Sequence, residues 1–229
     1  MGYNNEIETL QKLKASRSNI ENYFIAFNSD SKSKIRSEIN NMFDDIAKEG
    51  CKYIDWGWED DELKRKMRDI QEESAKKAQD NLTKKINANV AELKAKLDRE
   101  KEVVRQTLRS VNTNANVNLS ISVSKVLDAL SFSLGDFTQI VTTTISVVLI
   151  ATNFWNPIGW LTLIGNILVA IFGPSKKERA KSALRSSVND ARLDFSVNKL
   201  QKTLSDFESQ VDGQKKMFLT ALDQSINEL

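Results

Sequence analysis

Apolar residues along most of the chain recur every three or four positions, the spacing of amphipathic α-helices. One run covers residues 58–113 and contains neither Gly nor Pro. A second follows Gly173-Pro174 and covers about 175–228. At 1.5 Å per residue the first helix would be about 80 Å long. Because each apolar stripe is narrow and the rest is charged, both helices are expected to pack as in a bundle or coiled coil. The apolar positions of the second run include Leu184, Val188, Phe195, Val197, Leu200, Leu204 and Phe207.

The N-terminal region carries a one-sided apolar stripe from about residue 6 to residue 28. Ser29-Asp30-Ser31 is expected to break this helix and to cap a second one. The second helix would end near Gly50, a residue type favoured just after a helix. A short link between two helices predicts an antiparallel hairpin.

An aromatic, non-periodic segment, residues 51–58, follows this hairpin. It is interpreted as a packed elbow or as a docking surface, with Trp56, Gly57 and Trp58 as a candidate hinge. The acidic run at 59–62 lies in the first turn of the next helix, where the helix dipole favours negative charge. A catalytic carboxylate cluster is therefore not expected there.

An uncharged segment separates the two long helices. No Asp, Glu, Lys or Arg lies between Asp136 and Lys176. Two apolar arms, residues 140–153 and 160–172, flank a turn at 154–160 that contains Asn156-Pro157 and Gly159. Pro and Gly at these places favour a turn, so a helical hairpin is expected. A helix that is apolar nearly all round is buried either in protein or in lipid.

The segment 117–123 alternates apolar and polar residues, which is the period of a strand, but it also fits one face of a helix. Helix from about residue 118 is the favoured interpretation.

These patterns predict an all-α fold, an elongated antiparallel bundle with the apolar hairpin at its tip. The expected parts are residues 1–57 as a hairpin and elbow, 58–113 with 174–229 as antiparallel stalk helices, and 114–173 as the tip. The two N-terminal helices would be half as long as the stalk and would cover only its lower half.

Composition narrows the chemistry. The formal net charge is +2 and His is absent, so neither a nucleic-acid role nor His-based catalysis or metal binding is indicated. Cys51 is the one cysteine and fits a reducing compartment. No phosphate-binding loop, G-x-S-x-G or Cys-x-x-Cys is present. We therefore expect no enzyme activity and no cofactor. The N-terminus shows no signal sequence, which predicts a cytoplasmic protein.

Aromatic and apolar residues crowd the turn of the hairpin, where a water-exposed turn would be polar. Each arm is shorter than the ~20 residues that cross a bilayer, so shallow insertion into an anionic membrane is expected. Trp suits the headgroup boundary, and Lys and Arg attract anionic lipid. An exposed tip also predicts self-association. The expected lipid-contacting residues are Phe154, Trp155, Ile158, Trp160 and Leu161, and the expected basic collar is Lys176, Lys177, Arg179 and Lys181.

A long helix at 58–113, a paddle-like segment at 137–173 and a returning helix at 175–228 together resemble the stalk and membrane tip of bacterial dynamin-like proteins. The resemblance implies a membrane-remodelling role, lipid contact at the turn, and a hinge near residues 51–58. The GTPase head of that family is missing, so a GTPase domain or partner subunit is implied as well.

Two other classes fit the same layout. An α-helical pore-forming toxin component, secreted without a signal peptide, would use the alternating 117–123 segment as a β-tongue and the Ser/Thr-rich first arm to line a pore. A soluble helical scaffold would bury the apolar hairpin in its own core.

Overall fold

The computed structural model describes residues 2–57, 60–112 and 176–227, and within these ranges the chain is helical apart from the turn at Trp56–Gly57. Helix α1 spans Gly2–Asp55 and α2 spans Asp60–Asn112. The C-terminal helix consists of α3 (Lys176–Phe195), a π-helical turn (Ser196–Leu200) and α4 (Gln201–Asn227). The all-α class is confirmed for the described residues, which contain no strand.

The two predicted long helices, 58–113 and 175–228, are helical at each of their residues that the structure describes, 60–112 and 176–227. The predicted N-terminal hairpin is wrong, because α1 continues through Ser29–Ser31. Ser31 is fully buried, and its Oγ accepts a hydrogen bond from Asn89 Nδ2 at 3.2 Å. Ser31 is therefore a packing contact between α1 and α2, while Ser29 and Asp30 are exposed on the same continuous helix. Helix α1 is as long as α2 rather than half as long.

Three helices pack against one another, and the chain divides into two compact units. Each long helix contributes one segment to each unit. The described part of the first unit comprises residues 2–32, 85–112 and 206–227. That of the second comprises 33–57, 60–84 and 176–205.

In the first unit, α1 runs antiparallel to both of its neighbours. Along α2, Asn89 contacts Ser31 and Glu100 contacts Asn19. The contacts of α4 follow the same order: Phe207 packs on Phe27, Phe218 on Phe24 and Asp223 on Arg17. Higher numbers on either neighbour thus meet lower numbers on α1, and the segments of α2 and α4 run parallel to each other.

The second unit repeats this arrangement. Lys66 and Lys77 of α2 meet Tyr53 and Asp45 of α1. Lys181, Arg192 and Phe195 of α3 meet Asp55, Asp44 and Phe43. Both neighbours are again antiparallel to α1 and parallel to each other.

The predicted antiparallel pairing of the two stalk helices is therefore wrong within each unit. Apolar spacing shows which face of a helix is buried but not which partner covers it. A continuous α1 offers a partner to both helices. The short link at residues 56–59 forces α2 to turn back on α1, and basic residues at the start of α3 match the electronegative C-terminal end of α1.

The π-helical turn Ser196–Leu200 adjusts the phase of the C-terminal helix. Phe195 and Leu200 are both buried although they are five residues apart. A π-turn has more residues per turn than an α-helix and places both on the same face. Val197 was predicted to lie on the apolar stripe, but it is 69% exposed. That prediction is wrong because the stripe skips one residue.

Gly50 does not end a helix, as predicted, but lies within α1. A Cβ at this position would stand 2.7 Å from Leu184 Cδ2 and 2.8 Å from Met67 Sδ. The three helical segments of the second unit approach one another closely here because this residue has no side chain. The predicted tip, residues 114–173, including the apolar hairpin and the segment 117–123, lies outside the described residues.

Candidate functional site

The candidate hinge coincides with the end of α1. The backbone N–H of Trp56 donates to the carbonyl of Lys52 at 3.0 Å, and that of Gly57 donates to the carbonyl of Ile54 at 3.1 Å. Gly57 has φ of 76°, a left-handed conformation that stops the helix and that glycine adopts without strain. The chain then enters α2 at Asp60.

The start of α3 is bound to this helix end. Lys177 Nζ donates to the backbone carbonyl oxygen of Asp55 at 2.7 Å. Lys181 Nζ lies 2.8 Å from the carboxylate of Asp55 and 2.6 Å from that of Glu178. Cations that bind the last carbonyls of a helix interact favourably with its dipole. We call Asp55, Lys177 and Lys181 the α1 anchor.

The Asp55 hydrogen bond, and then that of Glu178, raises the pKa of Lys181 above its ordinary value. Lys181 therefore stays charged throughout the neutral range, and the α1 anchor is maintained there.

Aromatic residues lie beside the anchor. Tyr53 contacts Trp56 edge to face with ring centroids 4.8 Å apart, and Lys66 Nζ lies 5.5 Å from the Tyr53 ring centroid. Trp56 is 64% exposed. The elbow predicted as a packed segment therefore divides into a last helical turn and an exposed Trp.

Cys51 is buried in the last turns of α1. Burial raises the pKa of its thiol, against the opposing effects of Arg185 and Lys181. A thiol that is protonated at neutral pH is a weak nucleophile, so this position favours a packing role.

The structure brings together only part of the predicted site. Lys177 and Lys181 of the basic collar contact α1, while Arg179 is exposed. The side chains of Lys176 and Trp58 lie outside the description. So do the five expected lipid-contacting residues, Phe154, Trp155, Ile158, Trp160 and Leu161.

A buried polar cluster in the first unit escaped the sequence interpretation. Glu100 is 7% exposed and accepts hydrogen bonds from Asn19 Nδ2 at 2.9 Å and from the Tyr23 hydroxyl at 3.3 Å. Burial, followed by the charge of Glu100, raises the pKa of Tyr23, which keeps the hydroxyl protonated as a donor. The one available signal was that Glu100 stands between Leu97 and Val104 on the α2 stripe.

Neither a grouping of side chains suited to hold a metal ion nor a helix long and apolar enough to cross a bilayer occurs within residues 2–57, 60–112 and 176–227.

Comparison with known proteins gives no relative: no protein-family model, curated protein or solved structure matches this chain.

Proposed function

We propose that this chain is a membrane-associating helical protein whose uncharged segment, residues 137–175, inserts shallowly into anionic lipid. The observation that carries the proposal is the absence of Asp, Glu, Lys and Arg between Asp136 and Lys176, with Phe154, Trp155, Ile158 and Trp160 in the turn that the sequence predicts. Such a segment needs an apolar environment. The long helices on both sides are charged on their outer faces and would remain in water.

The described helices support this proposal because they bury their stripes against one another. Ile20, Leu82 and Val188 have no exposed surface beyond 1%. Both units therefore possess apolar cores contributed by the long helices. The basic collar offers fewer cations to lipid than expected, since Lys177 and Lys181 bind the end of α1. Arg179 and Lys177 are both exposed, but Lys177 is bound to the end of α1.

The finer proposal, a stalk and tip of a dynamin-like membrane-remodelling protein, requires two adjacent antiparallel helices leading to the paddle. The parallel direction of α2 and the C-terminal helix within each unit speaks against that arrangement. A phosphate-binding loop encoded upstream of Met1 would favour the dynamin-like family, because it would belong to a GTPase head. Lipid contact does not depend on this family.

Lipid contact is tested by tryptophan fluorescence in a Trp56→Phe, Trp58→Phe background, where Trp155 and Trp160 are the remaining reporters. Anionic liposomes should shift their emission to the blue and protect them from aqueous quenchers. Each side chain of this kind that is fully buried in lipid contributes about 1.5–3 kcal/mol. Ile158→Asp should therefore abolish most liposome binding while leaving the circular dichroism spectrum unchanged.

Val197→Asp is the matched control, because it places the same charge at an apolar residue that is already exposed. It should bind liposomes like the parent chain. If Ile158→Asp unfolds the chain, the segment is part of a buried core, and the scaffold alternative is correct. If Ile158→Asp binds lipid as well as the parent, lipid contact at the turn is wrong.

A pore-forming component is the second candidate, favoured by the hydroxyl side chains of the first arm: Thr142, Thr143, Thr144, Ser146 and Thr152. These residues could line an aqueous channel. Release of dye from liposomes by the pure chain would support a pore, whereas binding without release supports a peripheral role.

A further inference from the structure

An open pocket lies between α1 and α2 in the first unit. Its volume is about 220 Å³. Phe27 and Leu93, both nearly fully buried, form its apolar floor, and Tyr23 forms one wall. Asp30, Glu92 and Lys96 supply the charged groups at its rim. The pocket thus combines an aromatic ring, an apolar floor and an excess of one negative charge.

The contacts of Lys96 show what this pocket accommodates. Its ammonium lies 5.6 Å from the centroid of the Tyr23 ring and 2.6 Å from the carboxylate of Glu92. A cation within about 6 Å of an aromatic ring centroid is attracted to the face of the ring, and proteins use this attraction to bind quaternary ammonium ligands. In this structure the chain's own lysine supplies the cation.

The Tyr23 ring is held in place through its hydroxyl group. Its hydroxyl donates to Glu100, which also accepts from Asn19. Because Glu100 is buried, these bonds restrict the ring without occupying its face. A ring that is already oriented loses little freedom when a ligand binds.

We propose that this pocket binds a small organic cation, a quaternary or alkylammonium group on a compact apolar body, which displaces the ammonium of Lys96 from the Tyr23 ring. The cation contacts the ring and the carboxylate of Glu92, while the apolar body lies against Phe27 and Leu93. This inference is independent of the proposed lipid contact at residues 154–161.

Choline is a suitable probe, and its neutral carbon analogue dimethylbutanol has the same shape without the charge. Binding to the full-length chain is measured by saturation-transfer NMR and titration calorimetry. Choline should bind saturably, and dimethylbutanol at least about tenfold more weakly, because the charge supplies the attraction to the ring. Equal binding of the two compounds would overturn the proposal.

Substitutions separate the contributions. Lys96→Met removes the internal competitor and should tighten choline binding several-fold, whereas Tyr23→Leu should weaken it about tenfold. Tyr53→Leu is the matched control, because Tyr53 carries an equivalent lysine, Lys66, at 5.5 Å in the second unit and does not line the pocket. It should leave choline binding unchanged. An equal loss in Tyr53→Leu and Tyr23→Leu would place the binding elsewhere.

Two further variants keep the test decisive if Tyr23→Leu fails to fold. Glu92 is largely exposed, so Glu92→Gln should fold and bind choline several-fold more weakly. Tyr23→Phe keeps the ring but removes its hydrogen bond to Glu100, so it should weaken choline binding less than Tyr23→Leu does. No saturable binding by either the parent or Lys96→Met at millimolar choline contradicts the proposal.

The ammonium group could be carried by a free amine or by a choline lipid. Phosphatidylcholine vesicles with the parent and with Tyr23→Leu distinguish these sources. Weaker attachment of the variant identifies the lipid headgroup. Equal attachment, together with binding of free choline, identifies a free amine.

Discussion

The two units are built from segments of the same three helices, but the helices inside each unit are packed by different side chains. In the first unit, large aromatic rings join α1 to α4: Phe24 and Phe218 lie 5.5 Å apart and Phe27 and Phe207 lie 6.1 Å apart. In the second unit, Gly50 allows the helices to approach closely, and one aromatic pair, Phe43 and Phe195, lies beside the π-turn. The same arrangement of three helices can thus be stabilised either by large aromatic side chains or by a residue without a side chain.

The largest expected effect is that of removing an aromatic ring from the first unit. Phe218 is 2% exposed and contacts a fully buried partner ring. Phe218→Ala should lower the free energy of unfolding by about 3–5 kcal/mol, because it leaves a cavity. Urea unfolding followed by circular dichroism measures this loss.

Phe195→Ala provides the comparison in the second unit. Phe195 is 7% exposed and lies next to the π-turn, where the helix has a local irregularity that can relax. We expect a smaller loss than for Phe218→Ala. A larger loss would show that aromatic bulk matters equally in both units.

The second prediction concerns two glycines within helices. Gly50→Ala places a Cβ against Leu184 and Met67. Overpacking costs about 1–3 kcal/mol, of which about 1 kcal/mol is offset by the better helix propensity of Ala. We expect net destabilisation of up to about 2 kcal/mol.

Gly213 lies in α4 of the first unit, and a Cβ there would meet nothing within 4 Å. Gly213→Ala should therefore stabilise the chain by up to about 1 kcal/mol. The two melting temperatures should move in opposite directions. Stabilisation by Gly50→Ala would show that the close approach in the second unit is not required.

The smallest expected effect is a difference in pH dependence. In the first unit, Lys32, with help from Asn28, lowers the pKa of Glu208 below its ordinary value of 4.5. A lowered pKa in the folded state means that the stabilisation is present above pH 4.5 and is lost as the pH falls through the folded pKa. In the second unit, the raised pKa of Lys181 gives the opposite sign: stabilisation is full below 10.5 and is lost as the pH rises past the folded pKa.

Two variants measure these pH windows. The difference in stability between the parent and Glu208→Gln should disappear in acid, and that between the parent and Lys181→Met should disappear in strong base. Urea midpoints across the pH range test both. A Glu208→Gln difference that persists unchanged at pH 2 would contradict the assignment to this ion pair.

The sequence was informative wherever the spacing was regular. The unbroken three-four spacing of α2 predicted one continuous helix, and residues 60–112 are helical throughout. Ser29–Ser31 misled because Ser and Asp favour helix starts, but a buried Ser also fits where helices touch, as Ser31 does with Asn89. Val197 misled because a one-residue skip in the stripe cannot be recognised until Leu200 is known to be buried.

The direction of the C-terminal helix could not be predicted from its stripe. It depends on contacts between residues far apart in the sequence, such as Arg17 with Asp223 and Lys181 with Asp55. The pocket beside Tyr23 could not be predicted either, because its lining residues come from two helices, α1 and α2, that are far apart in the sequence. Lipid contact by the residues of the turn at 154–160 stays a prediction.

The parallel direction of α2 and the C-terminal helix goes with a long connection between them, and this length has a consequence for the rate of folding. In the unfolded chain, α1 and α2 are separated by residues 56–59, whereas the segment between α2 and α3 is residues 113–175. The second segment is about sixteen times as long, so closing it costs about 2.4 kcal/mol more in chain entropy. Contacts between α1 and α2 should therefore form first during folding, and the C-terminal helix should join this hairpin in a later, slower step.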